Sequence, residues 1–121
     1  MLAPPMGVPM RIINDWQYRY VERSLYGYYH LKNSSLTTER LMIVAIESAR
    51  EYFQDSQHEL MMVHFYFDAA IHRRTLTNAG HFRKVCTEYL HTEEPNGYVI
   101  RREIVYRVAM NCYSLGLFKL Q

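Results

Sequence analysis

The chain has 121 residues, a net charge of +2 at neutral pH, two cysteines and 49% hydrophobic residues. This length suits one domain, and that apolar content can form a core without disulfides or a structural metal. Residues 1–71 carry a net charge of −2 and residues 72–121 one of +4. Phosphate contacts are therefore expected in the C-terminal half rather than the N-terminal half.

No apolar run reaches the length of a membrane span, so we expect no transmembrane helix. The opening MLAPPMGVPM lacks the basic region of a secretory signal and is expected to form an irregular arm over residues 1–13. A soluble protein of the cytoplasm follows as the expectation. Cys86 and Cys112 are then expected to be buried free thiols in a reducing compartment.

The first half of the chain predicts three helices. Asn14 and Asp15 are good N-terminal caps for a helix that runs to about Leu31 and is weakened at Gly27. A second, amphipathic helix is predicted after Ser35, from the apolar spacing at Met42, Ala45, Ile46, Ala49 and Phe53.

The third predicted helix begins at a capping box, in which Ser56 and Glu59 satisfy each other's free backbone amides. The helix extends from Gln57 to about Ile71. Because it is apolar nearly all round, we expect it to be the central helix of the domain.

A pair of helices is predicted in the C-terminal third. The first is capped by Thr77 or Asn78, and a turn at Thr92–Gly97 follows it, longer than the three or four residues usual in a helix-turn-helix. The second runs from about Tyr98 to Leu115 and ends before Gly116. The chain is therefore predicted to be all-α, with about five helices in one domain over residues 14–121. That domain comprises an N-terminal helical layer at 14–71 and a helix-turn-helix at 75–117.

The last predicted helix has a basic beginning, as a helix that reads the major groove of DNA requires. With Asn96 as its cap, Arg101 or Arg102 could form a bidentate contact with guanine. Tyr98 and Arg107 would contact phosphate or sugar. Four further cations could extend the phosphate-binding surface: Arg73, Arg74, Arg83 and Lys84.

Other chemistry has weaker support. His64, Asp68 and His72 share a helix face, but their spacing spreads them over about 12 Å, too far for one metal ion. We find no phosphate-binding glycine loop, activated nucleophile or carboxylate pair in a pocket. We therefore expect no enzyme activity, no metal and no cofactor.

Tyrosine is unusually frequent, with eleven residues, several of them in the first helix. Tyrosine is enriched at protein interfaces, so this helix is expected in a half-buried core or in a homodimer contact. Stacking of single-stranded nucleic acid is the other hypothesis, since Arg19 and Arg23 lie there, but Glu22 speaks against it.

Three stretches carry a resemblance to a known family. They are Val21–Tyr28, Val63–Phe67 and the terminal pair from Phe82–Cys86 through Tyr98–Ala109 to Leu115–Leu117. Together they resemble the ArpU/RinA-type transcriptional regulators of phages and prophages in Gram-positive bacteria. The resemblance implies a C-terminal helix-turn-helix like region 4 of sigma factors and control of late phage genes for packaging and lysis in a bacterial host. The N-terminal helices are then expected to supply the dimer interface or a contact with RNA polymerase.

These observations predict a sequence-specific DNA-binding transcriptional regulator that binds double-stranded DNA as a homo-oligomer. The alternative is a non-catalytic protein-interaction module that uses a Tyr- and Met-rich helical surface, with the basic end serving solubility.

Overall fold

A computed structural model describes residues 13–68 and 78–119, which contain six helices and no strand. The helices are α1 (Asp15–Tyr26), α2 (Tyr28–Leu31), α3 (Thr37–Tyr52), α4 (Gln57–Met61, continued by π-helical turns at Met62–Phe67), α5 (Asn78–Val85, continued by a π-helical turn at Cys86–Leu90) and α6 (Glu94–Ser114). The all-α prediction is confirmed for this part of the chain.

The extra helix arises at Gly27, which ends α1 instead of merely weakening it. At the other end of α1 the expected cap is present. The Asn14 side chain accepts a hydrogen bond from the Gln17 amide at 3.0 Å, and the Gln17 side chain accepts one from the Asn14 amide at 3.1 Å. These reciprocal bonds fix where α1 starts.

The predictions for α3 and α4 hold with two changes. The inward face of α3 is buried as its spacing predicted at Met42, Ala45, Ile46 and Ala49, whereas Phe53 follows the end of the helix and is half-buried. Ser56 caps α4, but the Glu59 carboxylate accepts from the Asp55 amide at 3.0 Å, one residue before the predicted donor. The predicted end of this helix, about Ile71, lies outside the described residues.

One apolar core contains residues from all six helices. Its centre is the second half of α6, which is buried from Ile104 to Cys112 apart from a half-buried Tyr106 and packs against α1, α3 and α4. The Asn111 side chain donates to the Ala45 carbonyl at 3.0 Å and ties α6 to α3. The central helix is therefore α6, and the expectation that α4 would hold that position is wrong.

The start of α6 also differs from the prediction. The helix begins at Glu94, not at Tyr98, and Glu93 rather than Asn96 is its N-terminal cap residue. Pro95 stands in the first turn, where a missing amide hydrogen costs nothing, so it does not break the helix. The end is as expected, because Gly116 adopts a left-handed φ of +80° immediately after the helix cap.

Within residues 13–68 and 78–119, no helix is long and apolar enough to cross a membrane.

Gly97 allows α5 and α6 to approach closely, and this makes a prediction. A Cβ added at Gly97 would lie 2.4 Å from Cys86 Sγ and 2.9 Å from Phe82 Cζ. We expect Gly97→Ala to lower the free energy of unfolding by about 1–3 kcal/mol, the usual cost of overpacking, although alanine is the better helix former.

Urea denaturation followed by circular dichroism measures this loss. Asn96→Ala, at an exposed neighbouring position, is the matched control and should change stability by less than about 0.5 kcal/mol. An unchanged or raised stability of Gly97→Ala would contradict the close contact between the two helices.

Candidate nucleic-acid interface

The connection between α5 and α6 is short. Only His91, Thr92 and Glu93 separate the two helices, so the six-residue turn expected at Thr92–Gly97 is wrong. His91 takes up a left-handed conformation with φ 51° and ψ 48°, and the Thr92 amide donates to the Cys86 carbonyl at 3.0 Å. A turn of this length is usual between the two helices of a helix-turn-helix.

Arg101 does not lie on the surface of this pair. Its Nη2 donates to Glu22 Oε2 at 2.9 Å, and both side chains are only 19% exposed. The Tyr66 hydroxyl donates to the same carboxylate oxygen at 2.6 Å. Arg101 thus joins α6 to α1 and to the π-helical turns after α4, and the prediction that it reads guanine is wrong.

Aromatic rings enclose the Arg101 guanidinium. Its central carbon lies 4.7 Å from the ring centre of Phe65 and 5.0 Å from that of Phe82, with Tyr98 at 5.8 Å. A cation over aromatic faces is stabilised most where water is excluded. The enclosure therefore explains why a charged side chain remains inside the fold.

Burial perturbs the groups around this ion pair. It raises the pKa of Tyr26 to about 12, with Arg101 opposing the shift and Glu22 adding to it. Burial and then the Glu22 charge also hold the pKa of Tyr66 far above its usual range. Burial alone would lower the pKa of Arg101, but Tyr66 and Glu22 raise it, so the guanidinium keeps its charge.

The position of Arg107 also differs from the prediction. It was predicted to contact phosphate, yet it is only 9% exposed, and its guanidinium lies 3.7 Å from the ring centre of Tyr52 at the end of α3. Six residues separate Arg107 from Arg101, so it lies about 120° further round the helix axis, on the side that faces α3. Arg107 is therefore not available to DNA.

Four of the predicted contact residues do lie on the surface: Tyr98, Arg102, Arg83 and Lys84. Tyr98 is 51% exposed, and its ring packs on Phe82 at 4.5 Å between centres. Arg83 forms an ion pair with Glu94 at 2.9 Å. Arg73 and Arg74 lie outside the described residues.

The exposed charge of the helix pair is mixed. Glu88, Glu93 and Glu103 are exposed beside the cations, and Glu103 contacts His58 at 3.1 Å. The net charge of +4 counted for residues 72–121 therefore overstates the positive charge that this surface offers, because Arg101 and Arg107 lie inside and Arg83 is paired.

The other candidate sites for metal binding or catalysis have little support. His64 and Asp68 lie 4.0 Å apart, and the His64 ring stacks on Tyr89. His72 lies outside the described residues. In the described part of the chain, no group of three histidine, cysteine or acidic side chains is placed to hold a metal ion. Cys86 and Cys112 are free and buried, and burial raises the pKa of the Cys112 thiol to about 12.

Sequence reasoning missed Glu22 and Tyr66 as partners of Arg101. A signal existed for Glu22, because it falls on the same helix face as Tyr18, Leu25 and Tyr26. A carboxylate on an apolar, inward face needs a buried cation as partner. Nothing in the local sequence indicates which arginine that is, since Arg101 is 79 residues away.

A comparison of the chain with protein-family models, curated proteins and solved structures finds no match.

The internal position of Arg101 predicts that substitutions of Arg101 and of its neighbour Arg102 differ in their effect on stability. Arg101→Met should lower the free energy of unfolding by about 3 kcal/mol, the lower end of the cost of breaking a buried ion pair, since it leaves the Glu22 carboxylate without its counter-ion and both side chains are 19% exposed. Arg102→Met, the matched control, should change it by less than about 0.5 kcal/mol because Arg102 is exposed. Urea denaturation of the two variants tests the difference, and equal losses would contradict the internal position of Arg101.

The buried tyrosines predict a loss of stability in alkali. The folded pKa of Tyr26 is about 12 against 10.0 for an unperturbed tyrosine. The folded state therefore binds more protons over that interval, so stability that is complete below pH 10 falls as the pH rises towards 12. In an alkaline titration, the last tyrosinate absorbance should appear together with the loss of circular dichroism.

Tyr66→Phe should weaken this dependence on pH, since it removes the other buried hydroxyl of the site. If every tyrosine ionised near its usual pKa while the protein stayed folded, the burial of these hydroxyls would be refuted.

Proposed function

We propose that this chain binds double-stranded DNA through α5 and α6 and acts as a sequence-specific transcriptional regulator. In this proposal α6 enters the major groove and α5 crosses the backbone above it. The resemblance noted in the sequence would make the regulated genes those of a phage or prophage.

The observation that carries the proposal is the exposure of Arg102 in the third turn of α6, a helix that follows α5 after a three-residue turn. A recognition helix uses the residues of its first turns to contact base edges. Arg102 would be the guanine-reading side chain, with exposed Val99 one turn earlier in apolar contact with a base.

The backbone contacts are assigned to the preceding helix. Lys84 is exposed on α5 and is the first candidate for a phosphate contact. Arg83 would reach a phosphate only by leaving Glu94, so it contributes less than a free cation. Because the carboxylates Glu88, Glu93 and Glu103 lie on the same pair, a modest number of phosphate contacts is expected.

The second candidate is the non-catalytic protein-interaction module. Large apolar side chains exposed on the N-terminal helices favour it, with Trp16 at 58%, Leu36 at 62% and Tyr29 at 52%. The mixed charge around α6 also fits this reading. The two candidates differ in one measurable property, the binding of duplex DNA at low salt.

Binding of DNA selected from a randomised duplex pool tests the proposal. Arg102→Ala should weaken binding to the selected duplex about 5- to 150-fold, the equivalent of 1–3 kcal/mol for one bidentate guanine contact. Lys84→Ala should reduce the slope of log affinity against log salt by about 1, with little effect on sequence preference. Fluorescence anisotropy of a labelled duplex measures both.

Arg40→Ala is the matched control, since Arg40 is an exposed arginine on α3, outside the proposed surface. It should leave binding unchanged. If Arg102→Ala bound as well as Arg40→Ala, the role of Arg102 would be wrong. If the chain bound no duplex at low salt, the regulator would be excluded and the interaction module preferred.

A further inference from the structure

One exposed face of α1 has no role in the proposed function. Its side chains line a shared cleft of about 560 Å³. We call it the α1 outer face, and it consists of Asp15, Trp16, Arg19, Tyr20 and Arg23. All except the half-buried Tyr20 are exposed.

The aromatic side chains of this face are held in place by contacts with each other and with the buried Phe118. Trp16, the single tryptophan of the chain, is 58% exposed. It stacks on Tyr20 at 6.1 Å between ring centres and meets the edge of Phe118 at 5.8 Å. Phe118 itself is 4% exposed. A large apolar side chain that is both exposed and fixed loses little conformational entropy when a partner covers it.

The charges of the face are separated along the helix. Asp15 lies in the first turn of α1, and Arg19 and Arg23 follow one and two turns later. None of these three forms an ion pair with any residue of 13–68 or 78–119. Glu22, the other carboxylate of α1, contacts Arg101 inside the fold and so does not neutralise the arginines.

We propose that the α1 outer face binds the same face of a second copy of this chain, with the two α1 helices antiparallel about a two-fold axis. Antiparallel packing places Asp15 of each copy beside the arginines of the other, whereas parallel packing would bring like charges together. It also opposes the two helix dipoles. The contact is isologous, so it closes as a dimer and does not propagate.

The residue types of the α1 outer face are also those expected for binding a second copy of the chain. Tryptophan, tyrosine and arginine are the residues that most often dominate the binding energy of protein interfaces. In the dimer each arginine can lie over an aromatic ring of the other copy as well as beside its carboxylate. Each copy offers one carboxylate for the two arginines of the other, so one arginine of each copy depends on the aromatic contact.

A nucleic acid fits the face less well. A phosphate backbone would be attracted by Arg19 and Arg23 but repelled by Asp15. Stacking of successive bases needs a row of exposed rings, and here only Trp16 is largely exposed. The presence of both charge signs therefore favours a second copy of the chain.

This inference does not require the proposed function, since the dimer forms through α1 in the absence of DNA. A dimer would nevertheless give the regulator two α6 helices related by a two-fold axis, as a palindromic site requires. The assembly test uses no DNA, so its failure and the failure of DNA binding can be told apart.

Charge-reversal variants of the full chain test the proposal by sedimentation equilibrium across the micromolar range. The wild type should dimerise with a dissociation constant on the order of micromolar, as a small interface allows. Asp15→Arg makes the face wholly cationic, and Arg19→Asp/Arg23→Asp makes it wholly anionic. Each variant alone should be monomeric, and an equimolar mixture should form a heterodimer.

Trp16 provides an independent reading of the same equilibrium. Its emission should shift to shorter wavelength as the wild-type concentration rises and should stay unshifted in either charge variant alone. Arg40→Asp, a charge reversal of an exposed arginine on α3, is the matched control and should dimerise like the wild type. Circular dichroism verifies that each variant is folded, which these exposed positions permit.

Four results would overturn the proposal. They are a wild type that stays monomeric, charge variants that each dimerise alone, a mixture that stays monomeric, and Trp16 emission that is blue-shifted at every concentration because the face is covered within one chain. Quenching of Trp16 by a single-stranded oligonucleotide that also prevents dimerisation would instead assign the face to nucleic acid.

Discussion

The ion pair between Arg101 and Glu22 is the constraint on which the arrangement of this protein depends. Arg101 Nη2 and Glu22 Oε2 lie 2.9 Å apart. Aromatic rings from α4, α5 and α6 enclose the guanidinium of this pair. A charge in such surroundings is stable only with its counter-ion and with its hydrogen bonds satisfied. Because Glu22 belongs to α1 and Tyr66 follows α4, this one guanidinium links the C-terminal helix pair to two elements of the N-terminal layer.

The position of Arg101 determines what the surface can offer. Neighbouring residues of an α-helix are separated by about 100° around its axis, so an inward Arg101 leaves Arg102 on the flank. The same ion pair removes Glu22 from the exposed side of α1, where Asp15, Arg19 and Arg23 remain. One internal contact therefore shapes two separate surfaces, the outer side of α6 that we assign to DNA and the α1 outer face that we assign to a second copy.

Local sequence patterns predicted the elements that depend on local physics. The cap at Asn14, the apolar spacing of α3, the helix start at Ser56 and the glycine end at Gly116 are all present. The start of α6 was misplaced because proline and glycine are typical of turns, whereas Pro95 is tolerated in a first turn and Gly97 is required by packing against Cys86 and Phe82. The orientation of Arg101 and Arg107 could not be predicted, because it depends on partners in α1 and α3 that are distant in sequence.

The internal position of Arg101 is tested most directly by the rate at which individual arginines of the folded protein react with phenylglyoxal. Fragmentation mass spectrometry identifies the arginines that have reacted. Arg102 should react at the rate of the exposed Arg40, and Arg101 should be protected until the protein unfolds. Glu22→Gln should release part of that protection. Equal rates for Arg101 and Arg102 in the folded protein would contradict the internal ion pair and the assignment of both surfaces.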